Sequence, residues 1–137
     1  GSAPGTSFLF FPSNVNFPAH ATSLGKVFLS EMNDVELRSA LDTMRLTALT
    51  EHTYTDRKAF FKHLRDLQKL GYTYEDNEYM DNIRCLGIGV KDHTRRVVAG
   101  MSVVLNPFIT EEDRTVILQE LVSVKNILSY NLGYQND

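Results

Sequence analysis

Four histidines, one cysteine and a compact acidic run are the side chains here with the most chemistry to offer. His20, His52, His63 and His93 stand apart, none within three to five residues of another. With no second cysteine, the ligand spacings of zinc fingers and of the HExxH helix are absent, so no metal site is expected. Cys85 could serve as a nucleophile if a histidine approached it in space. Alone at the start of an apolar strand it also reads as a small buried hydrophobe or a passive pocket wall. Glu75-Asp76-Asn77-Glu78 could in principle hold a cation. It lacks the glycine and regular spacing of a calcium loop, so a solvated strand end is expected instead. No GxSxG elbow, GxxxxGK[ST] loop or GxGxxG turn occurs. Leu86-Gly87-Ile88-Gly89 lies inside a strand pattern, where glycine permits close approach of a ligand or another backbone. Neither catalytic residues nor a cofactor are expected.

These residues must be positioned by elements that the hydrophobic periods reveal. Pro18-Ala19-His20-Ala21-Thr22-Ser23 leads into Leu24, Val27, Phe28 and Leu29, an apolar face at helical spacing. Asn33 and Glu36 make a capping-box-like start for a second short helix through Val35, Leu37, Ala40 and Leu41. Thr55 or Asp56 can cap a third, carried by Phe60, Phe61, Leu64, Leu67 and Leu70 and ended by Gly71. The period then changes. Tyr72-Thr73-Tyr74, Cys85 to Val90 and Val97 to Leu105 read as strands, the last two joined in a hairpin by the polar stretch 91–96. Val97 to Leu105 is nearly all apolar or small, as expected of a strand covered on both faces. Thr110-Glu111-Glu112-Asp113 is a capping box for a long helix through Val116, Ile117, Leu121, Val124, Ile127, Leu128 and Leu132, closed by Gly133. The fold class expected is α+β, an antiparallel sheet with helices packed on it. Phe8-Leu9-Phe10-Phe11, closed by Pro12, suits a strand or a packed arm equally.

Bulk composition narrows the function. The 137 residues are 42% hydrophobic and 23% charged, with a net charge of −3, which is globular and not disordered. Phosphate neutralisation supplies most nucleic-acid affinity, and the basic residues here are scattered, so direct DNA binding is not expected. No apolar run approaches the roughly 20 residues that span a bilayer. A single cysteine excludes an internal disulfide and suits a reducing cytoplasm. Gly1-Ser2 reads as a scar of tag removal, and residues 1–16 as that remnant or an N-terminal arm preceding a domain over 17–137. By composition and spacing alone the residues stop at an α+β domain with room for a pocket.

Resemblance goes further. Pro18-Ala19-His20-Ala21-Thr22-Ser23-Leu24-Gly25-Lys26 with Phe28-Leu29 resembles the PxHAT/S-x-x-GKAxLA stretch of IclR-family effector domains. Leu67 to Tyr72 is similar to the segment before that family's acidic D-x-E-E run, where Glu75 to Glu78 stand. Residues 83–90 resemble xxCIAxPV, residues 97–107 the strand ending S-x-S-x-P, and Leu132-Gly133 the terminal LG. Five fragments fall in order over residues 17–134. The resemblance implies a GAF/profilin-like effector-binding domain, N-terminally shortened, of a bacterial transcriptional repressor or activator. It implies homodimers or homotetramers, DNA contacted only through a separate N-terminal winged helix-turn-helix, and a cytoplasmic location without membrane contact.

The effectors so implied are small carboxylates, aromatic acids or sugar acids. Residues 23–26 begin a helix, so their unpaired N–H groups suit an anion. By position Ser23 and Leu24 fall where loop amides meet the ligand, Glu75 where an acidic side chain contacts it, and Cys85, Gly87 and Ser102 on the sheet side. Val104 matches a position that is often serine, Leu24 is larger than usual, Gly89 replaces a proline and Asn82 a glycine. A ligand less polar than the smallest keto acids, or one contacted through fewer side-chain hydroxyls, is expected. Plainer roles stay open: His20 bracing the helix start, Ser102 satisfying a sheet backbone group, Glu75 as a solvated charge. Two other functions also stay open, a ligand-free oligomerisation module and a small enzyme using Cys85.

Overall fold

The computed structural model describes Thr6–Ser7 and residues 18–135. Phe8 to Phe11, and most of the arm expected over 1–16, lie outside the described residues. Three helices come first. The α1 helix (Ser23–Glu31) starts where Thr22 turns its hydroxyl back to accept from the Gly25 N–H at 3.1 Å. The α2 helix (Asp34–Thr43) has the full capping box expected: Asn33 Oδ1 accepts from Glu36 N, and Glu36 Oε1 from Asn33 N. The α3 helix (Arg57–Leu70) is capped by Asp56 and ends at Gly71, whose φ of 82° is the left-handed conformation that glycine tolerates. Its Phe60, Leu64 and Leu67 meet Leu29, Leu37 and Leu41 in one apolar cluster joining all three helices. Burying each leucine contributes about 2 kcal/mol.

The sheet follows. Strands β2 (Thr73–Asp76), β3 (Arg84–Lys91) and β4 (Val97–Leu105) are antiparallel, and the two-residue β1 (Thr6–Ser7) pairs with the end of β4. Their order is β1-β4-β3-β2. The closing α4 helix (Glu111–Asn131) is capped by the Thr110 hydroxyl, which accepts from Asp113 N at 3.0 Å, with three acids in its first turn. Successive strand residues alternate faces. Leu86, Ile88, Val103 and Leu105 meet Ile117 and Leu121 of α4 on one side. Helix α1 lies on the other, over Gly87. A Cβ on Gly87 would sit 2.5 Å from Thr73 Oγ1 and 2.9 Å from the Ser23 carbonyl oxygen, so glycine is what seats the helix start against the sheet.

The α+β class expected is the one observed. Two local expectations are corrected. β2 runs two residues further than Tyr72-Thr73-Tyr74 indicates, because Glu75 pairs with Cys85 and Asp76 with Arg84 in the ladder. β4 is not covered on both faces: Val103 and Leu105 are buried, but Val98 is 51% exposed. The apolar residues of its first half serve strand pairing and β propensity more than burial.

Candidate functional site

The start of α1 is held over the sheet by two hydrogen bonds and shaped by a cap of its own, and a small cavity opens beside it. Thr73 Oγ1 donates to the Ser23 carbonyl at 2.7 Å, Ser23 and Ser102 hydroxyls lie 2.8 Å apart, and Thr22 caps the helix. Thr22, Ser23 and Leu24 form one wall of the cavity. Glu75 of β2, Cys85 of β3 and Ser102 of β4 form the sheet wall, with Tyr79 and Ile83 from the β2–β3 loop at the side. Ser23 and Leu24 are the first two residues of α1, so their amides have no carbonyl partner within the helix and carry the positive end of its dipole. The room inside is only about 20 Å³, enough for about one water. Any larger occupant must push Leu24, Tyr79 or Ile83 aside.

Behind Glu75 lies a buried ionic network. Lys26 is wholly buried, and its ammonium has three partners: Glu78 Oε1 at 2.6 Å, His63 Nε2 at 3.0 Å and the Tyr74 carbonyl at 3.1 Å. An ammonium has three N–H groups, so all are used. Burial lowers the Lys26 pKa, and the adjacent Glu78 carboxylate partly restores it. Burial, then the neighbouring Lys26 charge, pushes His63 down to about 3, so it is a neutral acceptor, stacked on Tyr54 at 4.4 Å. Glu78 Oε2 accepts from Asp76 N, and Glu75 Oε2 accepts from Glu78 N at 2.7 Å. The loop is pinned from outside as well, Thr53 Oγ1 donating to the Glu78 carbonyl and Thr50 Oγ1 to that of Asn77.

Glu75 and Cys85 take their character from this setting. Glu75 is 1% exposed, and burial pushes its carboxyl up to about 7 against the pull of the Glu78 N–H. Burial first, then the adjacent Glu75 charge, pushes the Cys85 thiol up to about 12. The expectation of a solvated acidic strand end is therefore corrected. Glu75 and Glu78 are both buried, because backbone N–H groups and Lys26 receive them.

Of the residues singled out from sequence, the structure brings Ser23, Leu24, Glu75, Cys85 and Ser102 around one cavity. Gly87 lies just beneath Ser23 and does not line the space. Val104 is not on the lining either. It sits opposite Cys85 in the ladder and opposite Ser7 of β1. His20 bonds through Nε2 to the Thr47 carbonyl at 2.8 Å, so it braces the approach to α1 from outside the cavity. Sequence reasoning missed Thr22, Tyr79 and Ile83 on the lining, and Lys26 and His63 behind it. One signal was present: Lys26 is the sole basic residue in an otherwise mostly apolar helix stretch. Asn82 has φ of 66°, which explains its tolerance at a position where the resembling family has glycine.

A second, wider groove of about 380 Å³ runs between α2 and α3, lined by Arg38, Leu41, Asp42, Arg57, Lys58 and Phe61. Its cations are largely engaged. Arg57 donates to the carbonyls of Leu41 and Met44, and Arg38 lies over the Phe61 ring at 4.8 Å. It is a solvent-open surface, whereas the first cavity is closed by side chains from four elements. Among the described residues, no cluster of His, Cys, Asp or Glu is placed to hold a metal, and no helix is long and apolar enough to cross a membrane.

A small cavity closed between a capped helix start and one face of an antiparallel sheet, with a long helix backing the other face, places the chain among α+β domains built on a helix-covered antiparallel sheet. The sequence matches the family described as bacterial transcriptional regulator IclR C-terminal over residues 15–127, and the chain belongs to that family. It is 29% identical over 118 residues to the HTH-type transcriptional regulator XynR of Escherichia coli (strain K12), covering 85% of this chain and 47% of that protein. The chain thus spans about half the length of the curated relatives it matches. The C-terminal domain of E. coli KdgR superposes with a TM-score of 0.80 at 26% identity, covering 85% of this chain and 72% of that one. The inducer-binding domain of PobR from Acinetobacter, a double mutant in complex with 3-hydroxybenzoic acid, shares the fold at 21% identity with a TM-score of 0.76. That match covers 91% of this chain and 85% of PobR's.

Proposed function

We propose that residues 17–137 are the sensing unit of a cytoplasmic regulator. In this reading a small organic acid enters the cavity at the start of α1 and alters DNA binding by a separate winged helix-turn-helix, with residues 1–16 a tag remnant or an N-terminal arm. The observation that carries it is the pairing of two helix-start amides, Ser23 and Leu24, which have no carbonyl partner within the helix, with buried Glu75 and Cys85 and half-buried Ser102 around one small cavity. The amides suit a carboxylate, and Ser23 and Ser102 hydroxyls suit a hydroxyl or keto oxygen beside it. Gly87, beneath Ser23, sets the depth of the site, and Val104 presents no hydroxyl in the strand beyond it. PobR's complex with an aromatic acid supports the same ligand class.

Because the resting cavity holds about one water, a ligand binds by favouring a more open arrangement of Leu24 and the β2–β3 loop. A ligand shifts such an equilibrium only by its difference in affinity for the two states, and that difference is the signal passed to an attached domain. Catalysis through Cys85 is disfavoured by the same geometry, since a thiol pushed up to about 12 stays protonated near neutral pH. A thermal-shift panel of benzoate, 3-hydroxybenzoate, pyruvate and gluconate tests the reading. A saturable rise in melting temperature with at least one acid, reduced by Ser102→Ala, is expected. A flat response to all four from folded protein refutes it.

Assembly is a second reading with its own observation. The outer side of α4 carries Val116, Val124, Ile127, Leu128 and Tyr130, each at least 40% exposed. We infer that the regulator forms homodimers or homotetramers using this apolar surface. Sedimentation of the chain over a range of concentrations reads the oligomer directly.

A further inference from the structure

We propose that each acid bound in the α1 cavity enters together with one proton carried on Glu75, which makes Glu75 the residue that sets the charge rule of the site. This rests on the acid-sensing reading above. The starting observation is an imbalance of charge. Glu75 is the only lining residue that carries a formal charge when ionised near neutral pH; the rest of the lining is hydroxyl, thiol, phenol and aliphatic. The nearest cation, Lys26, has its three N–H groups committed to Glu78, His63 and the Tyr74 carbonyl, and turns none toward a ligand. A carboxylate placed between the Ser23 amide and Glu75 would therefore be a second negative charge in an enclosed space, with Glu78 a third close behind. Two carboxylates sharing one buried site do not both ionise.

A proton resolves this, and the geometry gives it a place. Ionised, Glu75 is an acceptor only; protonated, it becomes a donor that the incoming carboxylate can use, in the manner of a shared acid pair. The groups facing Glu75 are few. Lys26 faces it from α1, with neutral His63 of α3 behind. Cys85 faces it from β3, where Arg84 is paired to Asp76 at 3.2 Å. Glu78 and Tyr79 complete the set from the loop after its own strand. His63 is held down to about 3 and Cys85 up to about 12, whereas Glu75 sits at about 7. Of these three, Glu75 is the group placed to exchange a proton with solvent near neutral pH.

The consequence is a steep pH dependence for a ligand that does not itself titrate in that range. Affinity is nearly flat below pH 6 and falls tenfold per unit above pH 7, so it is roughly 100-fold weaker at pH 9 than at pH 6. Glu75→Gln supplies a permanent donor of the same shape and removes the dependence.

Calorimetric titration of the chain with benzoate and with pyruvate, at pH 6, 7, 8 and 9 in buffers of different ionisation enthalpy, tests this. The expected result is uptake of close to one proton per ligand at pH 8, near zero at pH 6, and a flat profile for Glu75→Gln. Measurable binding with the same affinity at pH 6 and pH 9 and no proton uptake overturns the proton rule and leaves the acid-sensing reading standing. No binding of either acid at pH 6, where the site is most receptive, overturns both. Proton uptake is read on the unmodified chain, so the test holds even if the variant folds poorly.

Discussion

Replacing Lys26 by methionine removes the one cation that balances two buried carboxylates, and the size of the effect follows from its contacts. Methionine fills much of the same volume, so the cavity left in the α1–α3 cluster is small and packing changes little. What changes is charge. Glu78 loses a partner at 2.6 Å, His63 and the Tyr74 carbonyl each lose a donor, and none of the three is exposed enough for water to replace it fully. Breaking a buried pair from one side costs about 3–5 kcal/mol. For a domain of this size that corresponds to a melting temperature lower by roughly 10–15 °C. The double variant Lys26→Met/Glu78→Gln should recover a large part of the loss, because removing both charges removes the uncompensated one. Urea denaturation followed by circular dichroism measures both variants. Equal stability of Lys26→Met and the unmodified chain refutes the reasoning, and so does a double variant no better than the single.

Further outcomes follow from the same geometry. Gly87→Ala forces a methyl to within 2.9 Å of the Ser23 carbonyl, so it should lift α1, destabilise the chain by about 1–3 kcal/mol and abolish acid binding in a thermal shift assay. Stability against pH should show two opposed terms. His63 has a folded value near 3 against 6.5 unfolded, so its contribution is intact above pH 6.5 and about 2 kcal/mol is lost by pH 5. Glu75 has a folded value near 7 against 4.5, so its contribution is full below pH 4.5 and is lost as pH rises to 7. The chain should therefore change little between pH 7 and 5, while Glu75→Gln should lose about 2 kcal/mol over the same interval in urea titrations. Ile127→Glu on α4 should reduce self-association in sedimentation without lowering the melting temperature, since Ile127 is 62% exposed.

The elements themselves were legible because each carries its own punctuation. The Asn33–Glu36 box, Gly71, Thr110 and the change of hydrophobic period after Tyr72 mark boundaries that the structure keeps to within a residue or two. The site was legible only through resemblance, since Ser23, Glu75, Cys85 and Ser102 come from four elements and no local spacing links them. Burial of charge was the least legible. Glu75-Asp76-Asn77-Glu78 has the composition of a solvated loop. Its two glutamates are buried because Lys26, about fifty residues earlier, arrives from α1, and because a turn through left-handed Asn77 folds the Glu78 side chain back. Val104 lies off the lining for a related reason. Residues 102 and 104 share a face, but the cavity closes over the first and ends before the second.

The most direct test of the central claim is where an acid binds. Benzoate titrated into isotopically labelled chain at pH 6, followed by amide shifts, should move Ser23, Leu24, Glu75, Cys85 and Ser102 together with one saturation curve. Shifts confined to Arg38, Arg57, Lys58 and Phe61 would place the ligand in the open α2–α3 groove and contradict the account.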